Sequence, residues 1–356
     1  MALGRGVKRT AAAVMMIRRM AKGLVALLGA TGYTGRLVAA ELARGERPYR
    51  LGARDRRRLE EVPRAAHGES CVVDAKDPGA LDAFLSGAEV LINTVGPFTE
   101  LGLPVVEAAV RNGAAYVDST GEPGFMTEVY RRYAAAPVAI VPACGFDYIP
   151  GDLAAAIAAR DLGGKVERIG VHYETNAMLP SRGTVRSALG VLGGGGVPAL
   201  KACRVTLPEG ARDAIEWPGG ERVTVPLHVP GAEVTVTMIV SGFLLPGWQL
   251  GAAGMAAMAP LLRPFADFLP EGPPAVLRAA ARYRVFAEAS GPAGRAMVLC
   301  EGSDPYGTTA RFLVAAAAMV SGTGAMAPAQ ALDPAAFLDA VAGADFRWRR
   351  IEPARQ

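Results

Sequence analysis

The apolar positions in the first half of the chain fall in short, nearly continuous runs separated by longer amphipathic stretches. The runs are Leu24–Leu28, Tyr49–Ala53, Cys71–Val73, Val90–Asn93, Ala115–Asp118 and Val138–Val141. They are too short for helices and too apolar for strands with one wet face, so they predict parallel strands covered on both sides. Arg36–Arg44, Pro104–Arg111 and Pro123–Tyr133 lie between them with helical patterning. Strands alternating with helices predict a doubly wound α/β domain.

After about residue 165 the texture changes. Arg168–Glu174, Arg222–Pro226, Glu233–Ile239, Arg282–Ala289 and Ala296–Cys300 alternate or are rich in β-branched residues, with few helices between them. This predicts a mixed or antiparallel sheet in a second, α+β domain. Thr309–Val320 is alanine-rich and helical in pattern, which places the C-terminus back on the first domain.

The first strand run leads directly into Gly29-Ala30-Thr31-Gly32-Tyr33-Thr34-Gly35, and a helical run follows. A strand, a glycine-rich turn and a helix in this order form a phosphate cradle: the glycines admit a pyrophosphate to the backbone, and the helix start offers free N–H groups. The turn therefore predicts a Rossmann dinucleotide site. The expected organisation is a basic extension over residues 1–21, expected to be disordered, a dinucleotide-binding domain over 22–165, a substrate domain over 166–304, and a C-terminal segment over 305–356 packing on the first domain.

Composition narrows the picture. Hydrophobic residues make up 51% of the 356 residues and charged ones 20%, enough apolar content for a large core. The formal charge is only +4, aromatic residues are sparse, and no basic stripe suggests nucleic acid. Cys71, Cys144, Cys203 and Cys300 form no CxxC pair, and His67, His172 and His228 are dispersed. No metal is expected, and a reducing compartment fits. Arg5, Lys8, Arg9, Arg18, Arg19 and Lys22 precede the first acid, Glu41. That segment reads as a tail, or as an early start upstream of Met20; a basic segment at an anionic membrane is the alternative. No charge occurs from Val234 to Leu262, but Gly242, Pro246, Gly247 and Gly251 interrupt the run. It reads as a strand, a turn and a buried or lipid-facing helix over Gln249–Leu262.

Cofactor choice is read at the end of the second strand. An acid there would bind a ribose hydroxyl; the chain instead has Arg54, about 20 residues past the glycine turn, which suits a 2′-phosphate and NADP. Asp74, after the third strand, either contacts adenine or caps a helix before Pro78. Thr94, Val95, Gly96 and Pro97 follow the fourth strand, where the backbone passes the cofactor. Ser119–Glu122 follow the fifth, and Cys144–Asp152 the sixth. All these loops leave the carboxyl edge of the sheet, where such folds bind ligands. No Tyr-x-x-x-Lys, GxSxG or HExxH occurs. Proton-donor candidates are chosen by location: Tyr148 and Asp147 first, then Cys144 and Tyr173.

GATGYTGRLVAAELA, INTVGPF, GLPVVEAAVRNGAAYVDSTGE and ACGFDYIPGDLAA occur in this order, followed by SRGTVRSAL, DPYGTTARFLVAAA and GTGAMAPAQAL. Together they resemble the saccharopine dehydrogenase-like oxidoreductases, nearest the branch of trans-acting enoyl reductases. The family's Phe-Asp-Ser-Ile-Pro-Ser-Asp pattern becomes Phe146-Asp147-Tyr148-Ile149-Pro150-Gly151-Asp152. The resemblance implies pyrophosphate binding at Gly29, Thr31, Gly32, Tyr33, Thr34 and Gly35. It also implies hydride transfer from NADPH to an unsaturated acyl thioester, small or carrier-bound, with Cys144 near the substrate. Two alternatives stay open. One is saccharopine-type reductive amination, with Arg182 and Arg186 receiving carboxylates. The other is a catalytically silent NADP-binding protein at a membrane or lipid surface. A homodimer and peripheral membrane contact are further candidate associations, and the cytoplasm is the expected location.

Overall fold

The computed structural model describes residues 23–176, 179–193, 201–239 and 268–353. The basic extension, most of the glycine run from Gly193 and the helix expected over Gln249–Leu262 lie outside the described residues. The chain divides into two units. The first comprises Met1–Ile149 and Tyr306–Phe346, the second Pro150–Pro305 and Arg347–Gln356.

In the first unit strand and helix alternate: β1 Leu24–Leu28, α1 Tyr33–Ala43, β2 Tyr49–Ala53, α2 Arg56–Glu60, β3 Gly68–Val72, α3 Pro78–Leu85, β4 Ala88–Asn93, α4 Phe98–Arg111, β5 Ala115–Asp118, α5 Pro123–Tyr133 and β6 Ala139–Val141. The strands pair in parallel in the order β6-β5-β4-β1-β2-β3. The strand order reverses between β1 and β4, the switch point where doubly wound sheets bind ligands. Register sets what meets there. Leu28 lies opposite both Gly52 and Asn93, and Asn93 opposite Asp118, so Gly29, Asn93 and Asp118 reach the same edge. The apolar runs are buried throughout: Leu27, Leu51, Ile92 and Val117 have no exposed surface. That two-sided burial is why they read as continuous rather than alternating.

The second unit takes α6 Ile149–Leu162 from Pro150 onward, followed by β7 Arg168–Thr175, α7 Arg182–Gly193, β8 Ala202–Leu207, β9 Gly210–Glu216, α8 Glu221–His228, β10 Glu233–Ile239, α9 Ala275–Ala280, β11 Arg282–Gly291 and β12 Gly294–Ser303. β7 and β10 run parallel, while β11 pairs antiparallel with β7 and β12, and β9 with β10 and β8. The sheet is therefore mixed, around a core that includes Val205, Leu207, Phe286, Met297 and Leu299. The expected strand over Arg222–Pro226 is instead helix α8. Val223, Thr224 and Val225 carry strand propensity, but the buried positions Glu221, Thr224 and Val225 fall at helical spacing. Tertiary burial outweighs the local preference.

The chain then supplies α10 Pro305–Met319, β13 Gly324–Ala325, α11 Pro328–Ala331 and α12 Pro334–Val341, and β13 extends the first sheet in parallel beside β6. β14 Phe346–Ile351 adds to the second sheet next to β12.

Candidate functional site

The glycine turn explains itself residue by residue. Gly29 has φ +91°, and a Cβ there would lie 2.6 Å from Thr94 Oγ1. At Gly35 a Cβ would stand 2.0 Å from the Gly29 carbonyl oxygen, so α1 can start this close to β1 only without a side chain. Gly32 is different. It is exposed, and a Cβ would meet only the Gly29 oxygen, at 3.3 Å. Space beyond Gly32 is open, as a cradle for an anion requires. The N-cap of α1 is Gly32, which has no side chain to cap the helix. Asp55, Asp77 and Asp333 cap α2, α3 and α12, and the Glu122 carboxylate receives the first N–H groups of α4. The start of α1 brings backbone N–H groups and the positive end of a helix dipole to the switch point behind a glycine N-cap, and these residues fit a pyrophosphate.

Two cations line the turn. Arg36 Nε and Arg58 Nη2 each donate to the Thr31 carbonyl at 3.1 Å. Arg54 is exposed just past β2, and Asp55 beside it caps α2 by accepting from Arg58 N. Arg56 and Arg57 are exposed, so of the arginine run only Arg58 turns inward. Tyr33 stacks edge-to-face on Tyr306, with centroids 5.1 Å apart. Asp74 accepts from Lys76 N at 2.9 Å; the cap of the following helix is Asp77, so the capping alternative for Asp74 does not hold.

The loops after β4, β5 and β6 are joined by buried polar side chains. Thr94 donates through both N and Oγ1 to the Leu28 carbonyl. Val95 N donates to Asn93 Oδ1, Asn93 Nδ2 to the Tyr116 hydroxyl, and that hydroxyl to Asp118 Oδ2 at 2.7 Å. Asp118 Oδ1 accepts from Thr120 N and Ala143 N. Thr120 Oγ1 accepts from Glu122 N, and Glu122 accepts from Phe98 N, Thr99 N and Thr99 Oγ1. Val95–Pro97 is thereby held at both ends. Burial pushes the Asp118 carboxyl up to about 7, against the pull of its backbone donors; burial and the adjacent Asp118 raise the Tyr116 hydroxyl well above its usual range. Sequence alone does not mark Asn93, Tyr116, Asp118 and Glu122 as individual site residues. Their signal is the polar alternation Asp118, Thr120, Glu122 where an apolar strand ends.

The sixth-strand loop places the remaining candidates differently from one another. Asp147 is open to solvent, yet enough protein surrounds it that desolvation lifts its carboxyl to about 6. Tyr148 is 6% exposed, and its hydroxyl donates to the Gly121 carbonyl at 3.1 Å. Cys144 is fully buried with its thiol on the Val141 carbonyl, so it packs the interior and lines no open surface. Thr309, from α10, accepts from Phe146 N and steadies this loop. In the second unit, Arg182 donates to the Leu269 carbonyl, and Arg186 lies one turn further along α7. The Tyr173 hydroxyl donates to Glu221 Oε1. Among the described residues, no group of three or more His, Cys, Asp or Glu could hold a metal ion, and no helix is long and apolar enough to cross a membrane.

Comparison with known proteins bears on this site. Residues 25–140 match the saccharopine dehydrogenase NADP binding domain. A trans-acting enoyl reductase from Mycobacterium leprae is 41% identical over 140 residues, covering 36% of this chain and 34% of the relative. A Mycobacterium tuberculosis protein given the same name provisionally is 39% identical over 186 residues, covering 47% of this chain and 44% of the relative. The chain thus aligns with less than half the length of either. Apo saccharopine dehydrogenase (L-Glu forming) from Saccharomyces cerevisiae shares the fold, with a TM-score of 0.61 at 14% identity over 93% of this chain and all of that one. The sequence match covers β1 to β6, the part that builds the glycine turn and its neighbouring loops, so this part of the chain is similar to a domain that is described as binding NADP.

Proposed function

We propose that the protein is an NADPH-dependent oxidoreductase that reduces the double bond of an α,β-unsaturated acyl thioester. The observation that carries the cofactor half is the start of α1 at an exposed Gly32 with open space above it, flanked by Arg36 and Arg58. The substrate half is supported by the trans-acting enoyl reductase name of the mycobacterial relatives.

When bound, NADP(H) supplies the hydride for the β-carbon. Gly29, Thr31, Gly32, Tyr33, Thr34 and Gly35 would hold its pyrophosphate, with Thr94–Pro97 alongside and Asp74 near adenine. Arg54 and Arg58 would receive the 2′-phosphate. Asp147 is the better proton source for the α-carbon, because it reaches solvent and desolvation raises its carboxyl to about 6. Tyr148 already donates its hydroxyl to Gly121, so its role is to hold the loop that carries Asp147. A polycarboxylate substrate would call on Arg182 and Arg186, and the turnover test below decides between the two readings.

The test is cofactor titration followed by turnover. NADPH should bind better than NADH, and Arg58→Ala or Arg54→Ala should weaken NADPH about tenfold while leaving NADH unchanged. Gly32→Val should abolish binding without unfolding the chain. NADPH should be oxidised by an enoyl thioester and not by 2-oxoglutarate with an amine. Turnover should fall as pH rises through about 6, because the acid must be protonated to donate. Oxidation by an imine and by no enoyl thioester would overturn the substrate reading.

A further inference from the structure

At the carboxyl edge of the first sheet, one carboxylate receives donors from three different segments. Asp118 Oδ1 takes Thr120 N at 2.9 Å and Ala143 N at 2.8 Å, and Oδ2 takes the Tyr116 hydroxyl, itself bonded to Asn93. Cys144 N also donates to the Asp118 carbonyl at 2.7 Å. Ala143 has φ +64°, a conformation that non-glycine residues adopt only when their surroundings hold them there. The bond from Ala143 N to Asp118 supplies such a hold.

We propose that Asp118 is the positioning residue of the cofactor site: its carboxylate keeps the loops after β4, β5 and β6 in mutual register, and so presets Val95–Pro97 for the dinucleotide. The inference rests on the reading above only in taking NADP(H) as the ligand.

The direction of the hydrogen bonds gives the proposal its chemistry. With Asp118 ionised, the chain runs one way: Asn93 Nδ2–H to the Tyr116 oxygen, then Tyr116 O–H to Asp118. Asn93 Oδ1 is left to accept Val95 N. A proton on Asp118 Oδ2 would confront the Tyr116 oxygen with donors from both sides and leave its own proton without an acceptor in the chain. Relief requires the chain to reverse. Asn93 must then turn its carbonyl toward Tyr116 and release Val95 N. Protonation at Asp118 is in this way transmitted to the cofactor loop of the neighbouring strand, β4. The titratable groups acting on this pair are Glu122, which raises Asp118, and Cys144, which raises Tyr116.

The experiment follows backbone amide resonances of Val95, Thr120 and Ala143 from pH 6.5 to 8.5, together with NADPH affinity over the same range. Phosphate titration near about 6 contributes little there. In the wild type the three amides should shift together with one midpoint near 7, and NADPH should bind more weakly on the acidic side. Asp118→Asn keeps the oxygen that serves Thr120 and Ala143 but presents an N–H donor to Tyr116, so it imitates the protonated state. It should bind NADPH about tenfold more weakly and without pH dependence in this range. Tyr116→Phe removes a donor that favours the carboxylate and cuts the link to Asn93, so the midpoint seen at Thr120 and Ala143 should move to higher pH while Val95 ceases to shift with them. If Asp118→Asn fails to fold, Tyr116→Phe decides. Amides that titrate independently, or a midpoint unmoved by Tyr116→Phe, would overturn the proposal. Absence of NADPH binding with coupled amide titration intact would overturn the cofactor reading and leave the positioning role standing.

Discussion

In the first unit the buried polar groups at the sheet edge answer one another: Asn93, Tyr116, Asp118, Thr120 and Glu122 form a continuous set of hydrogen bonds ending on the backbone of α4. In the second unit the buried face of α8 is also polar but less complete. Glu221 accepts from Tyr173 and His228 pairs with Asp152 at 2.8 Å, yet Thr224 Oγ1 and His228 Nδ1 are buried without a hydrogen-bond partner among the described residues. A satisfied buried network fixes one geometry, whereas a partly satisfied one destabilises and leaves slack. The first arrangement suits a site that must be shaped before its ligand arrives. The second marks where the chain tolerates change.

Four measurements would break or sharpen that contrast. Glu122→Leu removes the acceptor for Phe98 N, Thr99 N and Thr99 Oγ1 and uncaps α4. It should lower stability by about 2–4 kcal/mol in urea unfolding. A loss under about 1 kcal/mol would mean that the first network is no more consequential than the second.

Gly151→Ser probes the second unit. A Cβ at Gly151 would lie 2.4 Å from Glu221 Oε1, 2.8 Å from the Tyr173 hydroxyl and 2.9 Å from Val171 Cγ1. Overpacking of this kind costs about 1–3 kcal/mol. The same substitution should be milder in a Glu221→Ala background, because the two side chains compete for one space. Equal losses in both backgrounds would refute that competition. Gly151 stands where the resembling family pattern has serine, and the Glu221 carboxylate and Tyr173 hydroxyl occupy the space a serine side chain would need.

The two units should also respond to pH in opposite senses. Burial holds His172 down at about 4, with Thr237 on its Nδ1, so the native ring is neutral. Its stabilising contribution is full above the unfolded value of about 6.5 and is lost as pH falls toward 4. Asp118 is raised to about 7, so its contribution is full below about 4 and is lost as pH rises through 7. His172→Gln should flatten the acidic limb of the stability profile, and Asp118→Asn the limb between about 4 and 7. Identical profiles for both variants would remove the contrast.

The smallest effect is expected at Thr224. Thr224→Val replaces a buried hydroxyl that has no partner among the described residues by a methyl group of similar shape. Stability should be unchanged or higher by up to about 1 kcal/mol. A clear loss would show that the hydroxyl is satisfied in solution, by a bound water for example.

What the sequence by itself determined is what local spacing can encode. The apolar runs define the parallel strands, because burial on both faces leaves no polar position to interrupt them. The glycines at 29, 32 and 35 define the turn, because a backbone that folds this tightly between strand and helix admits no side chain at Gly29 or Gly35. The tertiary structure alone decided which polar groups meet. Glu122 caps a helix that begins 24 residues before it, Arg58 reaches the Thr31 carbonyl across 27 residues, and Glu221 fills the space against Gly151 from α8. It also decided that Val223–Val225 is helical against its propensity, and that β13 completes the first sheet. These contacts depend on strand order and register. A side chain's hydrogen-bonding capacity is written in the chain, but its partner is set by which strand ends the sheet brings level.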